Sequence, residues 1–195
     1  MTKFNTSVLA SMLCLALAAP VLAQERAVQR NVNQQERIQE GLQSGELSTR
    51  EAAKLEKEQT RVEQMESRAL RDGNLSNAEK VRLEAAQDKA SRDLYREKHD
   101  AQQGNPNSAS SQRMQADVQR NINQQKRIDH GLESGQLTNK EVAALEHGQA
   151  KVTRREAVAG ADGHVGPHEQ RAIQHAENRQ SAHVWNKKHN AHNRP

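Results

Sequence analysis

An internal repeat constrains this chain more than any other feature of its sequence. Shifted by 90 residues, residues 28–101 align with residues 118–191 without a gap, and 30 of the 74 aligned positions are identical. Self-similarity of this extent indicates two copies of one supersecondary unit. The segment between the copies is rich in Gly, Asn, Pro and Ser, a composition typical of flexible linkers. The predicted organisation is a first unit at residues 24–101, a linker at 102–115, a second unit at 116–191 and a tail at 192–195.

A shorter pattern appears twice in each unit and predicts where helices end and begin. It consists of a small polar residue, a glycine, an aliphatic residue two places later, and a glutamate that usually follows a Ser or Thr by three places. A glycine in the left-handed conformation ends a helix, and a Ser or Thr with such a glutamate caps the next one. In the fourth instance Gly166 and Pro167 replace the hydroxyl-bearing start. The turn residues are Ser44, Gly45 and Glu51; Asp72, Gly73 and Glu79; Ser134, Gly135 and Glu141; and Asp162, Gly163 and Glu169.

These turns divide each unit into three helices. We predict helices at residues 26–43, 49–71, 77–99, 116–133, 139–160 and 167–189. Apolar residues at helical spacing support this division, and they are Leu55, Val62 and Ala69, their copies Leu145, Val152 and Ala159, and Leu83, Ala86 or Ala90, and Leu94. The sequence therefore predicts an all-α fold, in which two tandem three-helix units of about 74 residues are joined by a flexible linker.

The first 23 residues have the features of a secretory signal peptide. A largely apolar run follows Lys3, and Val21 and Ala23 occupy the two positions that signal peptidase reads. The apolar run, of about 15 residues, is shorter than the roughly 20 that a membrane helix needs. We expect cleavage after Ala23 and a periplasmic or secreted mature protein that does not span a membrane. Cys14, the single cysteine, is removed with the signal peptide, which excludes disulfides and thiol chemistry.

Composition limits the core and the partners. The mature chain has 28 large apolar side chains, so the hydrophobic core must be thin. The 29 basic and 25 acidic residues are interspersed along the chain, which is typical of solvated helical faces. A mixed surface on an exported protein argues against nucleic acid as the partner. We expect the partner to be another protein or an envelope component.

The turns share part of their pattern with the calcium-binding loop of EF-hands. They carry its glycine at position six, its aliphatic residue at position eight and its glutamate at position twelve. The first position would be Glu40, Arg68, His130 or Val158, and the third Leu42, Leu70, Leu132 or Gly160. Such loops offer about three or four oxygen donors, whereas calcium takes six to eight. We expect no specific calcium site in these loops, and read them as capped helical turns.

Histidines are concentrated near the C-terminus, where six of the nine lie after residue 160. Imidazole is a good ligand for copper, nickel or zinc, and His189 and His192 are close enough in sequence to bind one ion. His168 and His175, seven residues apart, are too far from each other for this. The candidate transition-metal ligands are His164, His168, His189 and His192, with solvent-exposed histidines of no metal function as the alternative.

Two further features bear on function. Tyr95 and Trp185 occupy equivalent places in the two units, each followed by Lys-His, and we expect them to anchor the helical bundles. No catalytic triad, metalloprotease helix, phosphate-binding loop or paired-carboxylate arrangement is evident. The sequence therefore predicts a non-enzymatic protein that needs no cofactor.

The repeated segments are similar to those of known exported proteins. Residues 37–51 and 127–141 fit the pattern Arg-Ile-x-x-Gly-x-x-Ser-Gly-x-Leu-Ser/Thr-x-x-Glu, and residues 91–99 fit Ser-Arg-x-x-Tyr-x-x-Lys-His. The chain resembles exported proteobacterial proteins that carry these degenerate EF-hand-like segments, a group without assigned function. Residues 47–51 and 137–141 also resemble the Leu-Thr-x-x-Gln motif of the periplasmic Spy/CpxP group, with Glu in place of Gln. That resemblance implies a helical fold and a role in envelope stress or metal response.

The leading hypothesis is a periplasmic helical protein that binds proteins or envelope components and acts in stress protection. A thin core motivates it, since a marginal bundle can offer apolar surface to other molecules. The alternative is a copper, nickel or zinc buffer that uses the C-terminal histidines.

Overall fold

The computed structural model describes residues 15–191, with residues 15–23 described by their backbone alone. It contains the helices α1 (Leu15–Ser44), α2 (Thr49–Ala69), α3 (Asn77–Lys98), α4 (Ala109–Glu133), α5 (Asn139–Ala159) and α6 (Pro167–Lys188). The prediction of an all-α fold is confirmed, with three helices in each unit. The first residues of α2, α3, α5 and α6 are those predicted from the turn pattern.

The turns form because glycine and capping side chains act together at each of them. Gly45, Gly73, Gly135 and Gly163 have φ angles of 83°, 97°, 72° and 89°, in the region that residues with a Cβ rarely adopt. At the first turn the Ser48 hydroxyl accepts from the Glu51 backbone N–H, while the Glu51 carboxylate accepts the Ser48 backbone N–H at 2.8 Å. Equivalent boxes join Ser76 with Glu79 and Thr138 with Glu141, and the Gly166 N–H donates to Glu169.

The first helix of each unit begins earlier than predicted. Helix α1 begins at Leu15 and continues through the predicted cleavage position after Ala23. The part of the predicted signal peptide before residue 15 lies outside the described residues. Helix α4 begins at Ala109, capped by the Ser108 hydroxyl, so the last seven residues of the predicted linker are helical. Composition missed this start because serine occurs in linkers and at helix N-termini alike.

The remainder of the predicted linker packs against the first turn of the first unit. The Gly104 N–H donates to the Gly45 carbonyl at 2.8 Å. A Cβ atom at Gly104 would lie 2.2 Å from the Leu47 carbonyl oxygen, so glycine is required for this close approach. The connection between the units is thereby held on the surface of the first unit.

The most extensive helix packing joins the two units. Helix α2 packs mainly on α5 and α1 on α4, whereas α3 and α6 lie on the outside against the helices of their own units. Helices α2 and α5 are antiparallel, because Gly160 at the end of α5 lies beside Ala53 near the start of α2. At the other end, Gly73 after α2 lies beside Lys140 in the first turn of α5. The two units therefore share one interior.

Apolar residues from both units fill the two largest parts of this interior. One cluster includes Leu42 and Leu94 together with Val118 and Ile173, and another includes Leu70 together with Leu132. The predicted apolar residues Leu55, Val62, Ala69, Leu83, Ala90, Leu94, Leu145, Val152 and Ala159 are all buried. None of the helices in residues 15–191 is both long enough and apolar enough to cross a membrane.

Candidate functional site

The four turn glutamates are all occupied as helix caps. In each, Oε2 accepts a backbone N–H of the residue that precedes the helix, at distances between 2.8 and 3.1 Å. Their position at the helix N-termini also places a negative charge at the positive end of the helix dipole. The EF-hand-like pattern thus has a structural explanation at every turn.

The candidate histidines lie at opposite ends of α6. His164 and His168 are exposed near its N-terminus, and His189 is exposed just after its C-terminus. A helix of 22 residues is roughly 33 Å long, so these two groups cannot share a metal ion. His192 lies outside the described residues. The pairing of His189 with His192 therefore stays a prediction.

The prediction that Tyr95 and Trp185 anchor the bundles is wrong. Their exposed fractions are 57% and 56%. Each ring stacks on the histidine four residues later, with ring centroids 4.0 Å apart for Tyr95 and His99 and 4.5 Å apart for Trp185 and His189. The expectation failed because residues four apart on a helix lie on one face, and here that face points to solvent.

A layer of buried carboxylates and amides crosses the shared interior. We define the polar layer as Glu56, Glu63 and Glu66 of α2, Glu146 and Glu156 of α5, and the amides Asn31, Gln35, Gln59, Asn121, Gln125 and Gln149; each of these residues is at most 2% exposed. The units repeat the same hydrogen bonds. Gln35 Nε2 donates to Glu56 at 2.9 Å, and Gln125 Nε2 to Glu146 at 3.1 Å. Asn31 donates to Glu66 in the first unit, and the equivalent Asn121 donates to Glu156 in the second.

The polar layer has more hydrogen-bond acceptors than donors. Within residues 15–191, one oxygen of each of its five carboxylates has no hydrogen-bond partner, and neither have the amide oxygens of Gln35, Gln59, Gln125 and Gln149. Burial raises the pKa of Glu56 to about 8 and that of Glu146 to about 7, because water no longer solvates the charged form. Burial likewise raises the pKa of Glu63, Glu66 and Glu156 well above the usual value. Protonation converts one oxygen of a carboxyl group from an acceptor to a donor, so the neutral forms lessen the excess of acceptors.

A groove runs between α5 and α6 on the outside of the second unit. We define the basic groove by its lining residues: Gly148, Lys151, Val152, Arg154, Arg155, Val158, Ala159, Glu169, Ala172, Ile173, Ala176, Arg179, Gln180 and His183. Its larger part has a volume of about 530 Å³. Ile173 forms part of its apolar floor, while Val158 is 69% exposed at its edge.

The cations of the basic groove are not neutralised. Lys151, Arg154 and Arg179 form no ion pair with any carboxylate in the described part of the chain, and Arg155 donates only to a backbone carbonyl, that of Lys151. Glu169, the acidic residue of the lining, is bound to the N-terminus of α6. Burial lowers the pKa of His183, so this side chain adds no charge near pH 7. The groove therefore presents an excess of positive charge beside apolar surface.

Sequence reasoning missed both the polar layer and the basic groove. The interspersed charges were interpreted as solvated helical faces, and glutamate and glutamine are rarely buried in proteins, so their pattern gave no sign of the layer. The groove, however, left a detectable signal in the aligned copies. Gln64 and Met65 of the first unit correspond to Arg154 and Arg155 of the second, so two cations are gained on one helix face.

No family model matches the chain, and neither a curated protein nor a solved structure matches it.

Proposed function

We propose that this is a non-enzymatic exported protein that binds acidic amphipathic segments of other envelope proteins in the basic groove. The observation that carries the proposal is the set of four cations, Lys151, Arg154, Arg155 and Arg179, that surround an apolar floor without carboxylate partners in the described residues. Export rests on the N-terminal sequence, and the mass of the secreted chain tests cleavage after Ala23.

The shape of the groove favours a helical segment as the occupant. From Gly148 to Val158 the groove follows about three turns of α5, or roughly 15 Å. An amphipathic helix can place an apolar stripe on the floor of such a groove and polar residues at its edges. The exposed side chains of Val158 and Ala172 offer the apolar contact.

The distribution of charge in the groove favours an occupant with several anionic groups over an occupant with one. The cations come from both helices and from successive turns, which matches carboxylates spaced along a partner helix. A single phosphate headgroup would meet one or two of them. Charge complementarity of this kind speeds association and selects acidic partners, and salt weakens it.

Fluorescence anisotropy with a labelled acidic amphipathic peptide of about 18 residues tests the proposal. In Arg154→Gln/Arg155→Met, the groove carries the first unit's residues at these positions, so folding is expected to persist. We expect affinity to fall at least tenfold, because two of the four cations are lost. The matched control, Arg61→Gln/Arg68→Gln, removes the same number of exposed charges from the first unit and should keep the wild-type affinity.

Three results would contradict this proposal: no binding of the peptide at low salt, equal losses in both variants, or equal binding of a peptide with its acidic residues changed to lysine. Binding to vesicles with anionic phospholipid, lost in the groove variant while the peptide fails to bind, would instead identify a lipid surface as the occupant.

Transition-metal binding near the C-terminus is the second candidate function. His189 Nδ1 lies 2.7 Å from the Trp185 carbonyl oxygen, which leaves Nε2 available to a metal. His99 has the same arrangement with Tyr95 at 2.8 Å, but no histidine follows it three residues later. In a titration with copper, nickel or zinc, the variant His189→Ala/His192→Ala should therefore show no binding, and the control His99→Ala should bind as the wild type does. Unchanged binding in the double variant would exclude this site.

A further inference from the structure

Three carboxylates meet where α3 ends beside the first turn of the first unit. One carboxylate oxygen from each of Glu51, Glu97 and Asp100 lies within 4.8 Å of the other two. Oxygen ligands at 2.3–2.6 Å from one calcium ion are separated by distances of this size or less. Glu51 caps α2, whereas Glu97 and Asp100 lie at the C-terminal end of α3, more than 40 residues later in the chain.

The Glu51 side chain has an unused acceptor in this place. It is 5% exposed, and its Oε2 is occupied by the N–H and hydroxyl of Ser48. Its Oε1 is buried without a hydrogen-bond partner within residues 15–191. Such an oxygen costs free energy unless a donor or a cation meets it.

The second unit shows what this oxygen requires. There the equivalent Glu141 Oε1 accepts a hydrogen bond of 2.6 Å from Asn190 Nδ2, and Lys187 Nζ lies 3.8 Å away. The residues of the first unit that correspond to Asn190 and Lys187 are Asp100 and Glu97. A donor and a positive charge are thus replaced by two carboxylates around the same capping glutamate.

The surroundings neutralise one of these three negative charges and leave two. Lys54 pairs with Glu97 at 2.5 Å, but within the described chain neither Glu51 nor Asp100 has an ion pair. Glu97 and Asp100 also lie at the C-terminal end of α3, where the helix dipole is negative and disfavours carboxylates. A bound cation would remove both penalties.

We propose that Glu51, Glu97 and Asp100 form a binding site for a divalent cation of the calcium type, present in the first unit and missing from the second. Carboxylate oxygens are the ligands that calcium prefers, and water completes its coordination of six to eight. Three protein carboxylates without a closed loop are typical of weak sites, with dissociation constants of about 10⁻⁴ to 10⁻³ M. The site differs from an EF-hand loop, because Glu97 comes from the last turn of α3 and Asp100 follows that helix.

Calorimetric titration with calcium chloride, together with terbium luminescence, tests the site in the full chain. The wild type should bind one ion. Glu97→Lys/Asp100→Asn gives the first unit the residues of the second, and should weaken calcium binding at least tenfold. The reverse exchange, Lys187→Glu/Asn190→Asp, should build a second site and raise the stoichiometry to two.

Both exchanges use residues that the other unit already carries at the same place, so folding, checked by circular dichroism, is expected to persist. The proposal is overturned if the folded wild type binds no calcium at millimolar concentration. It is equally overturned if Glu97→Lys/Asp100→Asn binds calcium as tightly as the wild type does.

Discussion

The grooves between the second and third helices differ in the two units, although the helices that form them are equivalent. In the first unit Lys89 bridges Glu58 and Asp93, so the cation at this position of the groove is paired. In the second, Arg179 has the corresponding position and no carboxylate beside it within residues 15–191. The same helix pair therefore carries a lysine held by two carboxylates in one unit, and in the other an arginine that is open to an external anion. Few substitutions separate these two outcomes, and the helix packing tolerates both.

The largest expected effect concerns the polar layer, which the two units share. The raised pKa values of Glu56 and Glu146 mean that folding favours their neutral forms. Stability is then highest below the unfolded value near 4.5 and falls as the pH rises through 7 and 8. At about 1.4 kcal/mol per pH unit for each group, Glu56 and Glu146 together should lower the free energy of unfolding by roughly 6 kcal/mol between pH 5 and pH 8. Urea unfolding across this range measures it.

Single variants assign that pH dependence to one unit or the other. Glu56→Gln should flatten the profile over a wider pH range than Glu146→Gln, since its pKa is about 8 against about 7. A wild-type stability that is constant, or that rises from pH 5 to pH 8, would show that these carboxylates are not buried in neutral form.

The next largest effect on stability is expected at an interior position where the two units carry different residues. Gln87 Nε2 donates to the Ala27 carbonyl at 2.9 Å and to Asn31 Oδ1 at 2.8 Å, while the equivalent residue is Glu177. Gln87→Glu replaces that donor by a carboxylate, which would face the two acceptor oxygens. We expect the free energy of unfolding to fall by about 3 kcal/mol at pH 8. Glu177→Gln should instead stabilise the protein at this pH, because burial raises the pKa of Glu177 to about 7. Equal effects in denaturant unfolding would contradict the assigned contacts.

A smaller effect separates the two grooves directly. Lys89 lowers the pKa of Asp93 through its hydrogen bond, so removal of the lysine leaves a nearly buried carboxylate with less support. Lys89→Ala should lower the melting temperature, whereas Arg179→Ala should leave it unchanged, since no carboxylate in the described residues depends on that arginine. Thermal melts monitored by circular dichroism decide this, and equal shifts would remove the contrast between the grooves.

The smallest effect is expected at the stacked aromatic rings. An anchor residue in a core costs about 3–5 kcal/mol when it is changed to alanine. Because Tyr95 and Trp185 are more than half exposed, Tyr95→Ala and Trp185→Ala should each change the free energy of unfolding by about 0.5 kcal/mol or less. Chemical denaturation at pH 6 measures both, and a loss of several kcal/mol in either would restore the anchor interpretation.

The secondary structure could be read from the sequence because its determinants are local. A glycine such as Gly45 and a capping pair such as Ser48 and Glu51 act within eight residues, so the starts of four helices were predicted correctly. The apolar residues predicted by helical spacing, among them Leu55 and Leu145, are buried. Only the first helix of each unit was placed too late, where the chain has no turn pattern.

The packing of the units and the candidate sites could not be read in this way. No local sequence pattern shows that α2 packs on α5. Without that pairing Glu63 would be assigned to the surface, whereas in the structure it is buried and accepts a hydrogen bond from Thr153 of the other unit. The approach of Glu97 to Glu51 depends in the same way on where α3 ends. The exposure of Trp185 depends on which face of α6 meets its neighbours, and a thin core gives few apolar residues to mark that face.

Helices α1 and α4 are also antiparallel, because Gln115 contacts Leu42 and Lys126 contacts Glu36. The antiparallel pairing of α2 with α5 and of α1 with α4 is the arrangement that two separate copies of one unit would adopt as a symmetric dimer. In such a dimer each substitution appears twice, so an acidic cluster beside Glu51 would be mirrored on the partner, and a basic groove would come in pairs. When the two copies are joined in one chain, a substitution in one copy is no longer repeated in the other. A single polypeptide can then keep the mutual burial of a dimer while each half acquires its own ligand chemistry.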